Sequence, residues 1–145
     1  MSEHNTWRSE HSPNEYMGEF SEDGLFHGKG SYLFKDGSRY DGLFQEDCMN
    51  GNGVYVYNDA SKYVGEFRND RMDGKGIYYD IDGRKVYEGE WKFDRYNGEG
   101  IFYFESGKKY KGSFKDGKFD GEGKYCDEHD VVVEKGVWKK DKLVQ

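Results

Sequence analysis

Apolar and polar positions alternate with a period of two along most of this chain, and the apolar positions are largely rings. Tyr16-Met17-Gly18-Glu19-Phe20 is followed by Tyr40-Asp41-Gly42-Leu43-Phe44, Tyr63-Val64-Gly65-Glu66-Phe67, Tyr87-Glu88-Gly89-Glu90-Trp91 and Tyr110-Lys111-Gly112-Ser113-Phe114. A period of two is that of a half-buried strand, because successive side chains point to opposite faces. The five tyrosines are spaced by 24, 23, 24 and 23 residues, and each segment is followed by a Gly-x-Gly: Gly28/Gly30, Gly51/Gly53, Gly74/Gly76, Gly98/Gly100 and Gly121/Gly123. Five units therefore run head to tail. Glu134-Lys135-Gly136-Val137-Trp138 opens a partial sixth in which Glu replaces Tyr.

Between the two halves of a unit lie about six residues rich in Asp, Asn and Gly, as in Lys115-Asp116-Gly117-Lys118-Phe119-Asp120, which predicts a turn. Asp36-Gly37, Asp82-Gly83 and Ser106-Gly107 predict the second. Each unit is then a β-hairpin, and successive hairpins lie side by side. The fold class that follows is all-β: a single-layer antiparallel sheet of ten full strands with a partial strand at each end, on the order of 50 Å long at roughly 4.8 Å per strand.

The organisation is a polar lead at 1–15, five units at 16–39, 40–62, 63–86, 87–109 and 110–133, and a C-terminal cap at 134–145. Thr6-Trp7-Arg8 looks like the remnant of a preceding strand, and atypical ends of this kind cap repeat arrays. Two second turns depart from the pattern, with Asp59-Ala60 in one unit and Cys126-Asp127-Glu128-His129-Asp130 in another. On the face that carries Tyr, Gly and Phe, every glycine is expected to be a slot over which a neighbouring ring lies flat. With so many Cβ atoms missing, the sheet is expected to curl around its rings into a trough.

Composition agrees with this reading. The 145 residues include 13 Tyr, 10 Phe, 3 Trp and 21 Gly but 1 Pro, a mixture that disfavours helix and suits a pleated surface. Charged residues make up 35%, mean hydropathy is −1.13, and neither a membrane-spanning run nor the apolar core of a secretory leader is present, so a cytoplasmic protein is expected. Cys48 and Cys126 stand alone and are expected to be reduced thiols. The net charge of −7 argues against nucleic acid. Charge is unevenly spread: residues 1–50 carry 4 basic and 10 acidic side chains, residues 106–145 carry 10 and 8.

The sequence offers little chemistry. Gly28-Lys29-Gly30 leads into a strand, whereas a phosphate cradle needs a helix there. Asp80-Ile81-Asp82-Gly83 resembles the centre of a calcium loop, yet Gly89 stands where the bidentate Glu belongs. His4, His11, His27 and His129 are scattered, and Glu19, Glu66 and Glu90 recur at one position of the unit, where Leu43 and Ser113 stand in the second and fifth, as expected of a solvated face. No catalytic residue, metal site or cofactor is expected.

The unit Tyr-x-Gly-x-aromatic followed by Gly-x-Gly-x-aromatic resembles the MORN (membrane occupation and recognition nexus) repeat over residues 16–138, the sixth copy being carried by Gly136 and Trp138. That resemblance implies a non-catalytic scaffold or adaptor for other proteins in cytoskeletal, ciliary (axonemal or basal-body) or motor-linked assemblies, often as a homodimer. Its alternative is peripheral attachment to anionic phospholipids. On the face opposite the rings, Val54, Val56, Ile77, Tyr79, Ile101 and Tyr103 form a stripe that reads either as β-propensity on a half-exposed surface or as a partner-binding stripe. For the lipid alternative the candidate contacts are Lys108, Lys109, Lys111, Lys115, Lys139 and Lys140, diluted by neighbouring acids.

Overall fold

A computed structural model describes residues 12–145; the Thr6-Trp7-Arg8 segment, His4 and His11 lie outside the described residues. After a short 3-10 turn at Pro13–Glu15 come β1 (Tyr16–Phe20), β2 (Phe26–Leu33), β3 (Arg39–Gln45), β4 (Cys48–Val56), β5 (Lys62–Arg68) and β6 (Arg71–Tyr79). They continue as β7 (Lys85–Lys92), β8 (Arg95–Tyr103), β9 (Lys109–Lys115), β10 (Lys118–Cys126), β11 (Val132–Lys139) and β12 (Lys142–Leu143). All twelve form one sheet whose spatial order is the order along the chain, each strand antiparallel to the next. The result is an open curved sheet of consecutive hairpins, as the repeat pattern predicts.

A line of glycine runs across it. Gly18, Gly30, Gly42, Gly53, Gly65, Gly76, Gly89, Gly100, Gly112, Gly123 and Gly136 face one another in turn from β1 to β11. Over this line lie the unit tyrosines, each ring flat across the second glycine of its own Gly-x-Gly. A Cβ added at Gly53 would lie 2.5 Å from the Tyr40 ring, and one at Gly76 would lie 2.3 Å from the Tyr63 hydroxyl. Each tyrosine then meets the aromatic residue of its own unit and that of the next edge to face: Tyr63 with Phe67 at 5.1 Å and with Trp91 at 5.0 Å, Tyr87 with Trp91 at 5.3 Å and with Phe114 at 5.0 Å. This continuous ring relay is the core. It leaves Tyr40, Tyr63, Tyr87 and Tyr110 with no exposure in a protein that has a single layer.

The two glycines of Gly-x-Gly do different jobs, which corrects the expectation that all of them are ring slots. Gly28, Gly51, Gly74, Gly98 and Gly121 have φ between 72° and 107°, the left-handed region that side chains resist. They mark a bulge: the β3–β4 register passes from Gly42 opposite Gly53 to Phe44 opposite Met49, and the same slip recurs in each unit. Beside the bulge, the carbonyl of the residue preceding the aromatic position accepts the tyrosine hydroxyl, as in Tyr40 to Leu43, Tyr63 to Glu66 and Tyr87 to Glu90 at 2.7–2.8 Å. The recurrent glutamates are also structural. Glu19, Glu66 and Glu90 accept the backbone N–H of Lys29, Lys75 and Glu99 inside the Gly-x-Gly, so they satisfy the bulge and are not idle surface charge.

The first turns are tighter than the sequence suggests. Glu46-Asp47, Asn69-Asp70, Phe93-Asp94, Asp116-Gly117 and Lys140-Asp141 are two-residue connections with both φ values positive, the type I′ geometry that matches strand twist. Most of the six residues taken for a turn are strand. Each tight turn also clips the preceding hairpin. Asp47, Asp70, Asp94 and Asp141 donate their N–H to the carbonyls of Phe26, Met49, Met72 and Phe119, and their carboxylates accept the N–H of those same residues at 2.8 Å.

In the fifth unit Gly117 keeps the backbone bond to Tyr96 but has no carboxylate, and a Cβ there meets nothing within 4 Å. Gly117→Asp is therefore expected to stabilise the protein by about 1 kcal/mol, a charge-assisted hydrogen bond less the cost of a left-handed side chain. The melting temperature should rise by roughly 3 °C. A melting temperature at or below that of the parent would show that the clip contributes nothing.

The second turns share one geometry despite their divergent sequences. Ala60 and Asp130 adopt φ of 80° and 69° where Gly37, Gly83 and Gly107 stand in the other units. The closing bonds are the same, Tyr57 N–H to Ser61 carbonyl and Asp127 N–H to Val131 carbonyl.

Candidate functional site

With the rings filling one face, interaction falls to the other face and to the two long edges made by the turns. On the reverse face Val54 lies opposite Val64, Val64 opposite Ile77, Ile77 opposite Glu88, Glu88 opposite Ile101 and Ile101 opposite Lys111. The apolar stripe is thus continuous from Val54 to Ile77 through Val64, which the sequence reading did not include, and Glu88 interrupts it before Ile101. Val56, Tyr79 and Tyr103 belong to the next row, where they alternate with lysines: Val56 faces Lys62, Lys62 faces Tyr79 and Tyr103 faces Lys109. All six predicted residues are half-buried.

Lys62 Nζ stands 5.1 Å from the Tyr79 ring centre, and the Tyr103 hydroxyl donates to Glu88 Oε1 at 3.0 Å. Burial, with the Glu88 carboxylate behind it, pushes the Tyr103 hydroxyl up to about 12. Between the stripe and the bulge row the glycine backbone forms a floor. Shallow grooves run there, one of 600 Å³ over Gly76 and Gly89 and one of 550 Å³ over Gly30 and Gly42.

The six lysines picked out for anionic lipid are not brought together. Lys108 follows Gly107 in a second turn, and Lys109 and Lys111 both pair with Asp130, at 3.3 and 2.9 Å. Those two contacts hold the Asp130 carboxyl below its usual range and raise Lys111. Lys115, Lys139 and Lys140 lie on the opposite edge, at the first turns. There the register sets basic residues directly against each other: Arg68 faces Arg71, Lys92 faces Arg95, Lys115 faces Lys118 and Lys139 faces Lys142. Of those eight residues, Arg68, Arg71, Lys92 and Arg95 went unnoticed as a surface in the sequence. The signal was present as a basic residue on each flank of every tight turn from the third unit on, but it is readable only once the turn is two residues long.

The remaining candidate chemistry resolves into structure. Asp80 Oδ1 accepts the N–H of Asp82 and of Arg84 at 2.9 and 3.0 Å, and these bonds hold its carboxyl low, so it shapes the turn that resembled a calcium loop. Among the described residues no group of three His, Cys, Asp or Glu side chains is placed to hold a metal, and no helix is long and apolar enough to cross a membrane.

A search of curated proteins found no match to the chain. The family model described as the MORN repeat matches residues 16–39, 40–62, 63–83, 87–109 and 110–128. MORN repeats form a non-catalytic repeat family associated with protein–protein and protein–membrane interaction. Five consecutive matches, on a lattice in which every one of the five units repeats the same slot and bulge, place this chain in the MORN-repeat family.

Proposed function

We propose that the protein is a non-catalytic scaffold that binds other proteins in a cytoplasmic cytoskeletal or ciliary assembly. The observation that supports this reading best is the contrast between the two faces. One is closed by its own rings, with Tyr40, Tyr63, Tyr87 and Tyr110 at no exposure, while the other carries the half-buried Val54–Val64–Ile77 patch over a glycine floor. The ring face spends most of its apolar surface on its own packing, even where rings such as Tyr55, Tyr78 and Phe102 stay half-buried, so the reverse face is the surface assigned to protein binding. Lipid attachment is the weaker reading because the six candidate lysines fall on two opposite edges and two of them are paired with Asp130.

Affinity capture from ciliated cells tests the assignment. The parent chain is expected to retain cytoskeletal or axonemal proteins, and Ile77→Asp and Tyr79→Glu are expected to lose them with no change in the circular dichroism of the sheet. Retention of the same proteins by both variants would remove the reverse face from consideration. Pelleting with phosphoinositide vesicles, abolished by Lys108→Glu with Lys109→Glu, would favour the lipid reading instead.

A further inference from the structure

Four consecutive hairpins, those closed by the turns at 69–70, 93–94, 116–117 and 140–141, set two cations directly opposite each other on the same long edge. Like charges directly across an antiparallel pair are destabilising, and one such pair is an accident of composition. Four in register at the same place in four units are a feature of the surface. The turns at 46–47 and 140–141 frame its limits: in the second unit the flanking residues are Gln45 and Cys48, so the basic edge begins with the third unit.

All eight side chains are exposed, and among the described residues none of them is ion-paired with a carboxylate. The nearest recurrent acids, Glu66 and Glu90, turn their carboxylates to the backbone N–H of Lys75 and Glu99, and the turn aspartates Asp70, Asp94 and Asp141 are held by the clip bonds, which leaves Asp116, exposed between Lys115 and Lys118, as the one acid at these four turn tips without a clip bond. A groove of 1210 Å³ opens between the third and fourth units at this edge; Arg68, Arg71, Lys92 and Phe93 stand in its wall towards the turn tips, and Glu66, Asp73 and Glu90 also line it. Phe93 is 58% exposed at a turn tip, with the Arg71 guanidinium and the Lys92 amine each 5.6 Å from its ring centre.

We propose that this edge binds an extended acidic segment of a partner protein whose carboxylates recur every third residue. Successive turns on one edge are two strands apart, about 10 Å at roughly 4.8 Å per strand. A polyproline II chain has three residues per turn and rises about 3.1 Å per residue, so every third side chain faces the same way at a spacing of about 9 Å. Four carboxylates on such a chain meet four cation pairs in step, and Phe93 offers an apolar contact at the second of the four turns. A bilayer fits the edge poorly. The cations form a line one residue wide along the turn tips, and a plane of anions meets the protein only along that line, whereas an extended chain follows it.

The proposal rests on the scaffold reading and adds the chemistry of a ligand, and its test needs only the purified chain. The probe is a fluorescent twelve-residue peptide of four Glu-Pro-Pro repeats, titrated at low and at 0.5 M salt, with the Gln-Pro-Pro peptide, phosphatidylserine vesicles and a single-stranded oligonucleotide alongside. Salt-sensitive binding of the Glu peptide alone is expected. It should weaken at least tenfold in the triple variant Arg68→Glu, Lys92→Glu, Lys115→Glu and persist in Lys108→Glu, Lys109→Glu, Lys111→Glu. The first triple variant converts three like-charge pairs into opposite-charge pairs, so its melting temperature should rise and misfolding cannot account for the loss. No binding of the Glu peptide, equal binding by the first triple variant, or tighter binding to vesicles or oligonucleotide would overturn the assignment. Its failure with capture still sensitive to Ile77→Asp leaves the scaffold reading standing; peptide binding with capture insensitive to that substitution removes only the reverse-face assignment.

Discussion

Gly76→Ala should cost about 3 kcal/mol or more and lower the melting temperature by roughly 10 °C, because the new methyl has nowhere to go. It would arrive 2.3–2.4 Å from the hydroxyl, Cζ and Cε2 of Tyr63, a ring with no exposure that is locked edge to face by Phe67 and Trp91. Moving the ring also breaks its hydroxyl bond to the Glu66 carbonyl. Damage at one interface of a linear array is felt by its neighbours before it reaches the ends, so unfolding in urea should broaden or divide into two steps. Gly83→Ala is the comparison. Its φ is +84° but nothing lies within 4 Å of a Cβ, so the change carries only the left-handed backbone cost of about 1–2 kcal/mol. Equal losses for the two variants would show that the rings do not depend on the glycine slots.

Alkali should unfold the protein cooperatively between about pH 10 and 12. Burial raises the phenols of Tyr40, Tyr63 and Tyr87 far above their ordinary value and pushes those of Tyr57, Tyr96 and Tyr110 up to about 12. In the unfolded chain these groups ionise near 10. A raised folded value means that the folded state holds its protons longer, so the stability is fully present below about pH 10 and declines as pH rises towards the folded values. The hydroxyls of Tyr40, Tyr63, Tyr87 and Tyr110 each donate to a backbone carbonyl, so ionisation both buries a charge and removes a donor. Tyrosinate absorbance and the loss of sheet dichroism should rise together. Absorbance that saturates near pH 10 with the sheet intact would mean that the rings are in contact with water.

Periodicity alone was enough to read the hairpins, their order and the ring-bearing face. Tyr63, Gly65 and Phe67 share one face whatever lies beside them, because alternation is a property of the extended backbone. The stripe on the reverse face was only half legible. Alternation puts Val54, Val64 and Ile77 on that face from their own strands, but that Val64 lies directly opposite both of the others and joins them depends on a register between strands, which is set by turns and bulges that local composition does not specify. The glutamates were misread for the same reason. Nothing in the Gly-Glu-Phe triplet says that the next strand has slipped and left an amide for Glu66 to accept. The basic edge was hidden by a turn read as six residues long. Arg68 and Arg71 become cross-strand neighbours only when Asn69 and Asp70 both take positive φ.

The division is physical. The unaided sequence determined this protein's repeat, its strand-on-strand order and its membership in a family of non-catalytic repeats, since each follows from residue type at a fixed interval. Only the tertiary structure decided which glycine is a slot and which a bulge, which acids hold the backbone, and which cations line one edge. Those depend on the residue across the strand, which lies 9 residues away for Glu66 and Lys75, 22 for Met72 and Asp94, and 3 for Arg68 and Arg71, across a turn whose geometry residue type alone leaves open.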